Sequence, residues 1–463
     1  MARKTTLPTR ENRLGAISAW LGPAAALAAE WADGGQAQRI RTFTQAAADD
    51  IVQALRLLGG IEGAGIVVHG ARGCAGLLVF EAPHGCWAVT NLNQRDTIMG
   101  SDTALARTVR ALYRRHRPWA VFVVGTPVVA INNDDPHAIA GELGDELNIP
   151  VLAVRSDGFR SRVAATGFDA AAQAALRLVS GGIAVASRVN VVAVTTGPAA
   201  RAHVAGLLDD LGLEANILPA GAGRDAFTRA GSAALTVSLE PDAGDALERG
   251  LEDSHGIARL VLPPPVGLAG TGDWLAAIGQ ATGTARAARV IHQAQAGRLG
   301  ELVAARPLAG APVFLALSPA EAFAAVGLVE DLGGRIAGLA VDHMDIRHAG
   351  SLAAFAASYP DVPVQVAAGQ PFETASLWAR QPPGLFIGAP EAAALAAGSG
   401  SPAVAVRPGD LLGYRGVALL ARQARKALAN PSYVRHLAGA APPPYRESWL
   451  RRSPDWHVKR EVR

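Results

Sequence analysis

Two cysteines, Cys74 and Cys86, are all the thiol chemistry that the 463 residues contain. The first closes the stretch Gly65-Ile66-Val67-Val68-His69-Gly70-Ala71-Arg72-Gly73-Cys74. Its branched apolar run reads as a buried strand, and the glycine-rich run after it as a sharp turn at the strand's carboxyl end. Open α/β sheets bind their ligands at that end. A thiolate there can ligate iron or zinc, can act as a redox nucleophile with His69 and Arg72 close enough to lower its pKa, or can be a plain buried cysteine. One cysteine does not complete a four-ligand site, so a metal or cluster held by Cys74 needs ligands from elsewhere, most simply another subunit. Cys86, in His84-Gly85-Cys86-Trp87, reads as a structural cysteine or as a second thiol on the same sheet edge. Arg72 suits an anionic cluster or a phosphate, or is a surface arginine with a solvated head.

Two later turns gather polar groups. Asp342-His343-Met344-Asp345-Ile346-Arg347-His348 follows a strand and brings together two carboxylates and two imidazoles. Either a hard or borderline metal or ordinary hydrogen bonding at a strand end accounts for it, and the spacing matches no zinc motif. Gly369-Gln370-Pro371-Phe372-Glu373 reads as a turn with Glu373 near a helix start. The sequence has no Gly-x-x-x-x-Gly-Lys-Ser/Thr loop, no Gly-x-Gly-x-x-Gly after the opening strand, and no Gly-x-Ser-x-Gly between a strand and a helix. Nucleotide binding by either glycine-rich device and a hydrolase elbow are thereby excluded.

The elements that position these residues follow from periodicity. Residues 1–60 read as a helical lead-in, with Leu14, Ile17 and Leu21 at helical spacing and a second apolar run from Ala46 to Leu58 ended by Gly59-Gly60. Three series of short apolar strands separated by helix-length segments come next, beginning at residues 64–68, 189–194 and 313–317. Such alternation implies parallel sheets covered on both faces, so the expected fold is α/β: three doubly wound, Rossmann-like parallel-sheet domains over residues 61–185, 186–305 and 306–463.

Composition narrows the function classes. The net charge of +3 is local, much of it between Arg107 and Arg117 and between Arg446 and Arg463. Neither patch is laid out as an aromatic-lined nucleic-acid groove, so a partner protein is the expected use and nucleic acid is not. The helix bearing Arg107, Arg110, Arg114 and Arg115 is a candidate docking face or a plain solvated one. No apolar window is long enough to span a membrane, and no signal-peptide core directly follows the basic amino terminus, so a cytoplasmic protein is expected.

Taken together, His69-Gly70-Ala71-Arg72-Gly73-Cys74, residues 90–100 from Thr90-Asn91-Leu92-Asn93-Gln94, Ser156-Asp157-Gly158-Phe159, Pro263-Pro264-Pro265-Val266-Gly267 and the two late turns resemble component 1 of nitrogenase and its relatives. The resemblance implies paired three-domain subunits that receive electrons from an ATP-dependent iron protein. It implies that Cys74 ligates an iron–sulfur cluster, 4Fe-4S or P-cluster-like, shared with an α-like subunit in an α2β2 assembly. It gives His69, Gly70, Arg72 and Gly73 as the residues around that cluster; Cys86 matches no family ligand and joins them by proximity alone. Family members often supply three cysteines per subunit, whereas here Arg41-Thr42-Phe43-Thr44 and Gly125-Thr126-Pro127 stand at the other two places. The stretch Leu411-Leu412-Gly413-Tyr414-Arg415-Gly416 lacks the cysteine and histidine that hold the large cofactor of α-type subunits. The chain therefore looks like a β-type subunit without catalytic residues of its own. It is similar to a subunit of a reductase such as methylthio-alkane reductase, to one half of a cofactor-assembly scaffold, or to a metal-free binding protein on the same fold.

Overall fold

The computed structural model describes residues 7–34, 36–43, 48–75, 86–132, 134–156, 158–440 and 444–460. Thr44, Ala46, His84, Gly85, Asp157 and Arg463, named above, lie outside them. Along the chain, β1 (Ala19–Pro23) and β2 (Arg39–Arg41) precede the first sheet, made of β3 (Gly65–His69), β4 (Trp87–Val89), β5 (Val121–Gly125) and β6 (Val151–Val154). Its order is β4-β3-β5-β6 and every pair is parallel. β3, β5 and β6 are buried along their whole length, as continuous branched apolar runs in a doubly covered sheet must be. The helix Asp102–His116 lays Leu105, Val109 and Leu112 onto Val67, Val121 and Val123. It ends where Arg117 takes a left-handed backbone conformation, φ 48°.

The second sheet holds β7 (Gly181–Ala193), β8 (Glu214–Pro219), β9 (Gly231–Ser238) and β10 (Ala258–Leu260) in the order β10-β9-β7-β8, again parallel. At the carboxyl end of β7 the Glu240 carboxylate accepts from the backbone N–H of Val194 (3.2 Å) and Thr195 (2.9 Å) and from the Thr195 hydroxyl (2.7 Å). The crevice in which such a sheet would take an anion is thus filled from within.

The third sheet has the order β1-β13-β12-β11-β14-β15, with β11 (Pro312–Ala316), β12 (Arg335–Val341), β13 (Pro363–Ala367), β14 (Leu385–Gly388) and β15 (Ala403–Ala405) parallel. β1 joins its edge antiparallel, Trp20 opposite Val366. This corrects the all-helical reading of the amino-terminal 60 residues: Gly22-Pro23 stop a helix, and an edge position tolerates proline. Finally β16 (Val458–Arg460) pairs antiparallel with β2.

The described residues divide into two compact units. Ala48–Thr195 and Gly212–Leu262 carry the first two sheets, and Glu11–Ala47, Thr196–Leu211 and Pro263–Arg463 the third. None of the described helices is long and apolar enough to cross a membrane.

Candidate functional site

In the first sheet the connection from β3 leads to one side and that from β5 to the other, so the β3/β5 boundary is the topological switch point at which open α/β sheets hold ligands. His69 stands opposite Gly125 at that boundary. Thr126 closes it by donating its backbone N–H (3.1 Å) and its hydroxyl (3.0 Å) to His69 O. A Cβ on Gly70 would lie 2.0 Å from Thr126 Oγ1, so glycine is required there by this packing. The chain then turns into the short helix Arg72–Ala75, in which Cys74 N–H donates to Ala71 O at 3.1 Å. Ala75 is buried, whereas Arg72, Gly73 and Cys74 face outward and Cys74 is a free, exposed thiol. A Cβ on Gly73 would meet nothing within 4 Å, so no described contact asks for glycine at that position.

His69 and Cys86 stand apart from the exposed Cys74 turn. The His69 ring is buried and used up within the fold, with Nδ1 3.2 Å from Thr90 Oγ1 and Nε2 2.9 Å from Ser101 Oγ. Burial lowers its pKa to about 4 against the opposing charge of Asp134, so the imidazole is neutral and turned into the fold. Cys86 lies beside the amino end of β3, where its carbonyl accepts from Ile66 N–H, while Cys74 lies five residues beyond the carboxyl end. At ~3.3 Å per strand residue, Ile66 to His69 alone puts about 10 Å between the two levels, so the two thiols stand at opposite ends of β3. Cys86 instead packs against the core under the sheet, and burial pushes its thiol pKa up, away from the thiolate a metal needs.

The late polar cluster is a hydrogen-bonded strand end. Asp345 takes the Arg347 guanidinium at 2.9 Å on Oδ1, receives Arg347 N–H at 3.1 Å and donates its own N–H to His348 Nδ1 at 3.0 Å, while His343 Nδ1 bonds Asp342 at 2.9 Å. Burial works against ionisation of Asp345, but the Arg347 bond and the charges of His348, Arg347 and His343 bring its pKa down to about 2. Among the described residues no group of three or more His, Cys, Asp and Glu side chains is placed to hold a metal ion. Among the described residues the donor set would fit an iron–sulfur cluster only as a contributor: one exposed thiol, which would need its remaining ligands from elsewhere.

Both basic patches are partly engaged within the fold. Arg110 is committed to Glu146 at 2.6 Å, beside exposed Arg107, Arg114 and Arg115. In the carboxyl-terminal segment Arg452 stacks over Trp456 at 5.0 Å, and Trp456 and His457 pack on Phe43.

Likeness to known proteins is decisive at the family level. The family description "Nitrogenase component 1 type Oxidoreductase" matches residues 51–429. The chain belongs to that family. Nitrogenase component 1 relatives include the nitrogenase iron-molybdenum cofactor biosynthesis protein NifE of Klebsiella pneumoniae, 33% identical over 102 residues, 20% of this chain and 22% of that protein. A light-independent protochlorophyllide reductase subunit of Acidiphilium rubrum is 27% identical over 306 residues, 62% of this chain and 60% of that protein. The match thus spans about a fifth of NifE and under two thirds of the reductase polypeptide. In fold, the chain is similar to a solved structure described as "Nitrogenase Cp1 at pH 6.5", with a TM-score of 0.73 and 18% identity over 85% of this chain and 94% of that one. The parallel α/β sheets in Rossmann-like arrangement are accordingly those of the nitrogenase component 1 family.

Proposed function

We propose that this chain is the β-like subunit of a nitrogenase-like reductase, in which Cys74 contributes one ligand to an iron–sulfur cluster completed by an α-like subunit. The reading is carried by one observation: the sole outward-facing thiol stands at the carboxyl edge of the first sheet, in company with apolar side chains that water should not keep. Ile98 (81% exposed), Met99 (76%), Ile131 (73%) and Phe159 (58%) all lie on segments that follow strands of that same sheet. Large apolar residues grouped at one edge mark an interaction surface. A cluster bound there would supply an electron relay between an ATP-dependent iron protein and a catalytic cofactor in the α-like subunit. This chain's own part is to present the thiolate, hold its turn rigid and cover the site from water. Arg72 and Gly73, exposed next to Cys74, would flank the bound group.

The substrate class proposed is small methylthio-alkanes, reduced at a carbon–sulfur bond in the partner. The NifE matches favour a second reading, the β-like half of a cofactor-assembly scaffold, which uses the same thiol. The deciding experiment purifies the chain with its natural partner, counts iron, and compares reduction of dimethyl sulfide-type substrates with transfer of a cofactor to an acceptor. Cys74→Ala is expected to lower cluster iron and abolish electron uptake. Unchanged iron and uptake in that variant would remove the ligand assignment, leaving a metal-free protein on this fold.

A further inference from the structure

Behind the Cys74 turn runs a chain of buried hydrogen bonds whose direction is set by its far end. Gly70 N–H donates to Thr90 Oγ1 at 2.8 Å, Thr90 Oγ1 is 3.2 Å from His69 Nδ1, His69 Nε2 is 2.9 Å from Ser101 Oγ, and the Ser101 hydroxyl donates to Asp134 Oδ2. Thr90, His69 and Ser101 are buried, and Asp134 is half-buried. A carboxylate offers only acceptors, so the single hydrogen of Ser101 goes to Asp134. Ser101 Oγ must then accept from His69, which places the ring proton on Nε2 and leaves Nδ1 as the acceptor. The Thr90 hydroxyl accepts from Gly70 N–H and donates to Gly70 O at 3.1 Å, with His69 Nδ1 at 3.2 Å as the second acceptor within its reach. From His69 onward every donor points toward Asp134, an alignment in which each bond polarises the next, and Thr90 joins that run to both backbone groups of Gly70. The chain ties together the carboxyl ends of β3 and β4, the start of the helix Asp102–His116 and the loop before the helix Pro136–Leu147. Its first link is the backbone of the residue four positions before Cys74.

We propose that Asp134 is a positioning residue for Cys74, acting through Ser101 and the Nε2–H form of His69 to hold the Gly70 turn from which the thiol projects. The consequence for a cluster rests on the reading that Cys74 is its ligand, but the geometry of the turn does not, and the test separates the two. In the free full-length chain, modification of Cys74 by a disulfide reagent is timed, with Cys74→Ala giving the Cys86 background. Asp134→Ala is expected to change the Cys74 rate at least fivefold. Asp134→Asn, whose amide oxygen still accepts from Ser101, is expected to stay within twofold of the native rate. Ser101→Ala breaks the same chain with the carboxylate intact and carries the same expectation as Asp134→Ala, so it decides the matter should the latter fail to fold. A folded Asp134→Ala or Ser101→Ala chain reacting at the native rate overturns the proposal. In the complex with its partner, Asp134→Ala is expected to shift the cluster's midpoint potential. If Cys74→Ala leaves iron in place, the cluster reading falls while the thiol rates still decide the role of Asp134.

Discussion

His69 shows how one residue beside an exposed thiol serves the turn that carries the thiol. Its ring is 1% exposed, bonded on both nitrogens, and its pKa is brought down to about 4 by burial. The unfolded chain binds a proton at this histidine near pH 6.5, whereas the folded chain resists it until about pH 4. Stability from this group is therefore complete above pH 6.5 and is lost as pH falls from 6.5 through 4, by roughly 3 kcal/mol in all. Urea unfolding midpoints between pH 7 and pH 4 should fall more steeply for the native chain than for His69→Gln, and parallel curves would refute the assignment. The sequence announced a strand, a turn and a thiol here, and all three stand where the spacing put them. It could not announce that His69 points into the fold, because the partners that decide this, Thr90 and Ser101, are 21 and 32 residues away. The place of Cys86 was illegible for a related reason: nearness along the chain says nothing about which end of a parallel strand a residue occupies, and that depends on register.

At the level of elements, the Gly369–Glu373 turn acquires a meaning that its own residues do not carry. Glu373, 2% exposed, accepts from Arg41 Nε at 2.6 Å and pairs with His457 Nε2 at 2.8 Å, so one carboxylate joins β2 to the carboxyl-terminal segment that β16 closes. Phe43, Phe372 and Trp456 surround His457, with Phe43 4.4 Å from its ring. Read as a string, this segment is basic and suggests a solvated tail; its burial rests on contacts to residues more than 80 positions away, invisible to periodicity. Removing one member of a buried ion pair leaves the other charge uncompensated, at a cost of about 3–5 kcal/mol. Glu373→Ala should lower stability by that order and free the segment, so that trypsin cleaves after Arg451, Arg452 and Lys459 well before the rest of the chain. A variant whose carboxyl-terminal segment is cut no earlier than in the native chain would show that the aromatic packing alone retains it.

For the molecule as a whole, the question is why one of three similar sheets should carry the proposed function. The second sheet fills its own crevice with Glu240, and at the carboxyl end of β12 in the third Asp345 is bonded to Arg347 and His348, so neither presents an open donor set at those points. The first sheet alone sends a thiol outward, and the helix Gln94–Met99 after β4 adds Ile98 and Met99 to the same edge, anchored where Asn132 Nδ2 donates to Thr97 O at 3.0 Å. That anchoring holds the two side chains out on an ordered element, so their exposure is a property of the fold and calls for a covering surface. If an α-like subunit is that surface, replacing both by aspartate removes apolar contact and places two charges where desolvation is required. Ile98→Asp with Met99→Asp should leave the unfolding free energy of the isolated chain within about 0.5 kcal/mol, because neither residue is packed in its own core. The same double variant should weaken association with the partner at least tenfold, read by co-purification and by sedimentation of the mixed subunits. Association at native strength would place the subunit contact on another face, and Cys74 would then have no second polypeptide from which to draw the remaining cluster ligands.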